Sequence, residues 1–311
     1  MPTLSRRIIA TSYGGFALVG WSMLLVPSLI RDIRDEFGQT DAGFGLLYLA
    51  TSLAFATGAF LSGALAGRAG RRAILSTAAL LLAAGLVTQG LAPAWPLLVL
   101  GAALAGGGAG TVDAGVNSVV MDLSVLGRGD ALSRLHLFYS LGALAAPLVL
   151  GMLLSAGVDW RVPMLLTSVA AIALAGPLRL VGTVPPRARA APAEAAAGSG
   201  APDIAASSGP TTAGPAGSNA AVGAGRPPVA AKASLRVPLV ALGVAVACYV
   251  GAEAGVSSWL VAFLANEPVV TATLALSLFW VGLALGRLTA GRLGRRISPV
   301  RYAVASSFLG A

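Results

Sequence analysis

Apolar residues fall in long blocks along the chain, at Ile8–Ile30, Ala42–Ala66, Ala73–Leu91, Pro96–Met121, Leu132–Ala156, Val162–Val181, Pro238–Ala265 and Thr271–Leu293. A helix needs about 20 mostly apolar residues to cross a bilayer, and each block suffices. A ninth run starts near Tyr302 and stops at Ala311, too short for a crossing. In lipid every backbone polar group must be satisfied within its own element, so such blocks are expected to be helices. The pattern predicts an all-α, polytopic membrane helix bundle.

Composition strengthens this reading. Of 311 residues, 56% are hydrophobic and 11% charged, against about 25% charged in soluble domains. The net charge of +9 does not point to nucleic acid, because the basic residues sit between apolar blocks rather than in a stripe with aromatics. They alternate by side. One side receives Arg6, Arg7, Arg68, Arg71, Arg72, Arg128, Arg134, Arg179, Arg187, Arg189, Arg226, Lys232, Arg236, Arg287, Arg292, Arg295, Arg296 and Arg301; the other receives Arg31, Arg34 and Arg161. The positive-inside rule places the N-terminus in the cytoplasm of a multi-pass protein of the cell membrane. The first block is too long for a signal-peptide core and reads as a retained span. Trp95 and Trp160 fall at outer ends of blocks, where indoles suit a water–lipid boundary; for Trp95, between Pro93 and Pro96, a local turn is the alternative.

Residues 182–235 are dominated by Ala, Pro, Gly and Ser, with almost no large apolar side chains to bury. Ordering such a segment has little to offset its entropy cost, and it reads as a flexible cytoplasmic linker. It divides a six-span half, 1–181, from a partial second half, 236–311. The chain is read as stopping inside its ninth span, so that its function belongs to a longer parent protein.

A short element recurs in both halves. Gly67-Arg68-Ala69-Gly70-Arg71-Arg72 follows the second span of the first half, and Gly291-Arg292-Leu293-Gly294-Arg295-Arg296 the second span of the other. Repetition at equivalent places marks structural repeats. The first copy, with Gly63, Leu65, Ala66, Arg68, Gly70, Arg71 and Arg72, resembles the loop signature Gly-x-Leu-Ala-Asp-Arg-x-Gly-Arg-Arg of the major facilitator superfamily, with Gly67 at the aspartate position. The resemblance implies two helical halves rocking about a midplane site, here with six spans of the first half and two to three of the second.

Two carboxyl groups lie well inside apolar blocks, Asp113 and Glu253. A charge there is expensive and is a functional candidate by default. Gly106, Gly110, Asp113 and Asn117 share one helical stripe, with a close-packed or hollow face of small residues. Tyr249, Glu253 and Ser257 form another, with Trp259 nearby. Carboxylate, amide and aromatic ring together suit a sugar-like solute. His136, the one histidine, stands near the start of the fifth block with Ser140 one turn on, either a proton relay or a satisfied helix-end group. Polar contacts that merely join helices are the alternative for all of these.

The stretches "GTVDAGVNSVV", "LHLFYSLGALAAPL", "YVGAEAGVSSWL" and "SLFWVGLALGRLTAGRL" resemble the fucose-permease-like branch. That resemblance assigns Asp113 to proton coupling and sugar recognition, with Asn117 its polar partner. The branch's first-span aspartate corresponds to Met23. The expected function is a monomeric secondary transporter taking a small solute and protons, with no cofactor. A drug or metabolite exporter on the same fold, or a non-transporting ligand-binding membrane protein, stays open. No nucleophile–base set or cluster of metal ligands appears, so an enzyme is not expected.

Overall fold

A computed structural model describes residues 2–123, 128–184 and 236–293. Every regular element among them is a helix: α1 Pro2–Met23, α2 Leu25–Phe37, α3 Asp41–Ala69, α4 Arg71–Gly90, α5 Trp95–Leu123, α6 Arg128–Ser155, α7 Arg161–Val181, α8 Arg236–Phe263 and α9 Val269–Leu293. Among the described residues eight stretches are long and apolar enough to cross a membrane, the first running through α1 and α2 as Arg6–Phe37. The eight long blocks of the sequence correspond to them. The ninth run and all but the first three residues of the 182–235 linker lie outside the described residues.

The first span is broken at Leu24, which the apolar pattern does not announce. Pro27 has no N–H to give the carbonyl of Met23, and its ring crowds that carbonyl. The helix therefore restarts at Leu25, with Leu24 at φ −96° and ψ 0°. Its continuation extends seven residues beyond Ile30 and ends at Gly38, whose left-handed φ of 60° lets its N–H reach the Arg34 carbonyl. Thr40 then caps α3, its side chain accepting from the Gly43 N–H.

Helices come together through small residues. A Cβ added at Gly106 or Gly110 of α5 would stand 2.5 Å from the Thr51 carbonyl oxygen or 2.1 Å from that of Phe55, both on α3. The small-residue stripe is thus close-packed and not hollow. On its other side, Gly108 meets the backbone of Leu82 in α4. In the same way Gly142 of α6 lies against Ala17 of α1, and Gly20 of α1 against Tyr139 of α6. Close backbone approach is the main attraction available where lipid is as apolar as the side chains. Buried hydroxyls return a hydrogen bond to the preceding turn, as Ser12 does to Ile8, Ser28 to Leu24 and Thr167 to Pro163. Thr167 also accepts from the Trp21 indole at 2.9 Å.

The two proposed boundary tryptophans are engaged in packing. Phe37 contacts Trp95 and Trp160, and Phe44 contacts Trp95. Trp160 is 4% exposed and donates to Glu36 Oε2 at 2.7 Å. Arg161 grips the same carboxylate with two nitrogens, and its guanidinium lies 4.5 Å from the Trp160 ring centroid. This clamp joins α2 to the start of α7. Replacing Glu36 with alanine is expected to lower stability by about 1 kcal/mol, the value of a bidentate pair at a half-exposed rim. Thermal unfolding in detergent measures it.

The chain forms two units, Met1–Pro186 with Glu253–Ala311, and Arg187–Ala252. The helix packing just described belongs to the first. In the second, the described residues are the first part of α8, with Val240, Leu242, Val244 and Val250 exposed. Within the first unit α3 also turns Leu46, Leu49, Leu53 and Phe60 outward, a surface suited to lipid or to another helix.

Candidate functional site

Six polar side chains from three helices meet inside the first unit. On α6, His136 and Ser140 lie one turn apart, and the Ser140 hydroxyl donates to the His136 carbonyl at 3.0 Å. Arg287 of α9 reaches the same hydroxyl with Nη1. Its Nη2 lies 3.4 Å from both carboxylate oxygens of Glu253 on α8. The guanidinium carbon is 5.8 Å from the ring centroid of Trp280, two turns earlier on α9. Tyr139 stands 5.7 Å from Trp280, ring to ring.

Asp113 accepts from the Asn117 amide at 3.2 Å, so the expected pair forms. Among the described residues the side chain that hydrogen-bonds Asp113 is this amide and not a cation. Glu253 differs in having a guanidinium beside it. Three buried polar atoms of the region, Asn117 Oδ1, Ser257 Oγ and Trp280 Nε1, have no hydrogen-bond partner among the described residues. An unfilled position of this kind costs about 1–3 kcal/mol.

The remaining expected residues are placed as follows. Ser257 is buried and Tyr249 exposed, and Tyr249 belongs to the second unit, so the α8 stripe is divided. Trp259 meets the edge of Tyr48 with ring centroids 5.6 Å apart. His136 also packs edge-on against Phe16.

The loop element is built around Gly70, whose φ of +76° favours glycine, between α3 and α4. Arg68 and Arg72 are exposed. Arg71 points inward, with Nη2 2.6 Å from Asp122 of α5 and 3.0 Å from Ser118 Oγ, and Nη1 donating to the Val184 carbonyl. It ties the start of α4 to the end of α5 and to the chain beyond α7. A cavity of ≈ 360 Å³ lies here, lined by Ser62, Gly63, Gly67, Arg71, Gly115 and Ser118 among others. In the second copy Arg292 lies in the last turn of α9, which ends at Leu293, while Gly294, Arg295 and Arg296 lie outside the described residues.

Sequence reasoning missed Arg287 and Trp280. Arg287 counts with the basic side of the membrane, yet its side chain turns inward to Ser140 and Glu253. The available signal was the apolar run that continues past it to Leu293, and its spacing of seven from Trp280 on one helical stripe.

The fold is that of a polytopic helical membrane protein with ionisable groups gathered between its spans. The chain belongs to the Major Facilitator Superfamily, whose model matches residues 11–311. It is similar to the Mus musculus protein named sodium-dependent glucose transporter 1A, with 24% identity over 137 residues, 44% of this chain and 32% of that protein. Among solved structures it resembles a bacterial homologue of the human lysosomal transporter Spinster, with a TM-score of 0.66 and 20% identity over 96% of this chain and 64% of that one. It also resembles a D-xylose–proton symporter, with a TM-score of 0.59 and 16% identity over 94% and 69% of the two chains. These structural likenesses show the fold. The chain spans about a third of the length of the mouse protein.

Proposed function

We propose that this chain carries the solute-handling helices of a monomeric secondary transporter of the cell membrane. It moves a small, sugar-like solute by alternating access, coupled to protons, with the N-terminus in the cytoplasm. The observation that supports this most is the joining of Glu253 on α8, Arg287 on α9 and Ser140 on α6, one turn from His136. Ionisable groups inside apolar spans mark solute and proton paths, and these come from both sides of the linker, as a site between two rocking halves requires.

Glu253 and Arg287 offset each other, so a neutral solute brings no uncompensated charge. The unpartnered amide oxygen, hydroxyl and indole N–H suit the donors and acceptors of a polyol. The named glucose transporter among the relatives and the fucose-permease-like stretches favour the same class. Asp113, hydrogen-bonded to an amide rather than a cation, takes the proton-carrying role, since wetting and drying change a carboxyl group's proton affinity.

The test is uptake of labelled monosaccharides into proteoliposomes of the full-length protein under an imposed proton gradient. Asp113→Asn is expected to lower gradient-driven uptake by about a hundredfold while solute exchange persists, on the scale of general acid–base groups. Unchanged gradient-driven uptake in that variant would remove Asp113 from coupling. Uptake of lipophilic cations in place of sugars would favour the exporter.

A further inference from the structure

The side of the bundle opposite the N-terminus carries three arginines, Arg31, Arg34 and Arg161. Two of them face carboxylates: Arg34 pairs with Asp41 at 2.5 Å and Arg161 with Glu36. Among the described residues Arg31 makes no such pair. Its hydrogen bonds go to main-chain carbonyls at the end of α8 and just beyond it. Nε and Nη2 both donate to Val261 at 3.2 Å, Nη2 also to Leu264, and Nη1 to Glu267 at 2.7 Å. The last carbonyls of a helix have no partner within it and carry the negative end of its dipole. A guanidinium fork can satisfy several at once, which a lysine ammonium cannot match in geometry.

One level deeper, the same stretch of α8 is held from α3. The Tyr48 hydroxyl donates to the Ser258 carbonyl at 3.1 Å, and its ring stands T-shaped to that of Trp259. The acceptors Ser258, Val261, Leu264 and Glu267 lie in the last turns of α8 and in the turn that follows it. Helices α2 and α3 thus close on α8 at this mouth without any ion pair between them among the described residues.

We propose that Arg31 is a releasable latch on this mouth. It holds the end of α8 against α2 in the closed state and exchanges the three carbonyls for water when the mouth opens. Carbonyl acceptors make this reversible. Separating Arg31 from them strands no buried charge, whereas breaking a buried ion pair does. The proposal rests on the alternating-access reading above, which needs a mouth that opens and closes.

The experiment uses the full-length protein in proteoliposomes, with Cys248→Ser to remove the cysteine of this chain and Ala262→Cys as reporter in the last turn of α8. The rate of labelling by a membrane-impermeant maleimide is measured without substrate. Arg31→Ala is expected to raise it about tenfold and Arg31→Lys by a smaller factor, since hydrogen bonds from a charged group are lost wholly or in part. Equal rates in both variants and the parent would overturn the latch. If the alanine variant is not monodisperse, Arg31→Lys and Arg31→Gln carry the comparison. Faster labelling with no solute uptake by the parent keeps the latch and removes the transport reading. Unchanged labelling with intact uptake removes the latch alone.

Discussion

Replacing Arg287 with alanine should destabilise the protein by about 2 kcal/mol, between the small loss at an exposed ion pair and the large one at a buried pair. The reason is the isolation of Glu253, whose side chain is 16% exposed and is paired with Arg287, itself 24% exposed. The Arg287 hydrogen bond to Ser140 is lost at the same time, and with it a link between α6 and α9. Glu253→Gln should cost less, because the remaining guanidinium keeps Ser140 and the Trp280 face. The double variant Glu253→Gln with Arg287→Gln should be more stable than the sum of the single losses, since neither charge is left behind. Thermal unfolding in detergent gives all three values. Additive losses would mean that the 3.4 Å contact carries no coupling.

Replacing Gly142 with valine should be the most damaging single change to the bundle, at about 3 kcal/mol or more, the upper range for overpacking. A Cβ there would stand 1.9 Å from the Ala17 carbonyl oxygen, and backbone cannot rotate away as a side-chain tip can. Helices α1 and α6 would have to separate. The reciprocal contact, Gly20 against the Tyr139 carbonyl, would open with them. Because α6 carries Ser140, its bond to Arg287 of α9 should loosen as well. Gly14→Ala is the control. Nothing lies within 4 Å of its added Cβ, and alanine is favoured over glycine in a helix by about 1 kcal/mol. A Gly142→Val protein with unchanged melting would show that the two helices are not so closely seated.

Much of the fold was legible because a bilayer imposes few solutions. Long apolar blocks had to be helices, and α3 to α9 begin and end close to where the blocks do. The Asp113–Asn117 pair was legible too, since a spacing of four fixes two residues on one helical face whatever surrounds them. The break at Leu24 was readable in principle from Pro27, but a proline in an apolar run signals a kink only if no neighbour absorbs it. The small-residue stripe of α5 was visible, while its meaning was not. Glycines can line a hollow or admit a backbone, and the position of α3 decides between them.

Arg287 and Arg31 show where one-dimensional reading ends. Both were counted by side of the membrane, which is all that loop charge can report. A long side chain reaches a turn or more along its helix in either direction, so its charge need not lie at the level of its Cα. The partners of Arg31 are main-chain carbonyls, which leave no mark in a sequence. Those of Arg287 are 34 and 147 residues away. The sequence by itself therefore determined that the chain is a bundle of apolar helices with costly carboxyl groups at Asp113 and Glu253, because solvation by lipid acts on each segment separately. Only the tertiary structure decided which charges compensate which and which helix ends are held together. Those choices depend on the packing of helices distant in the chain.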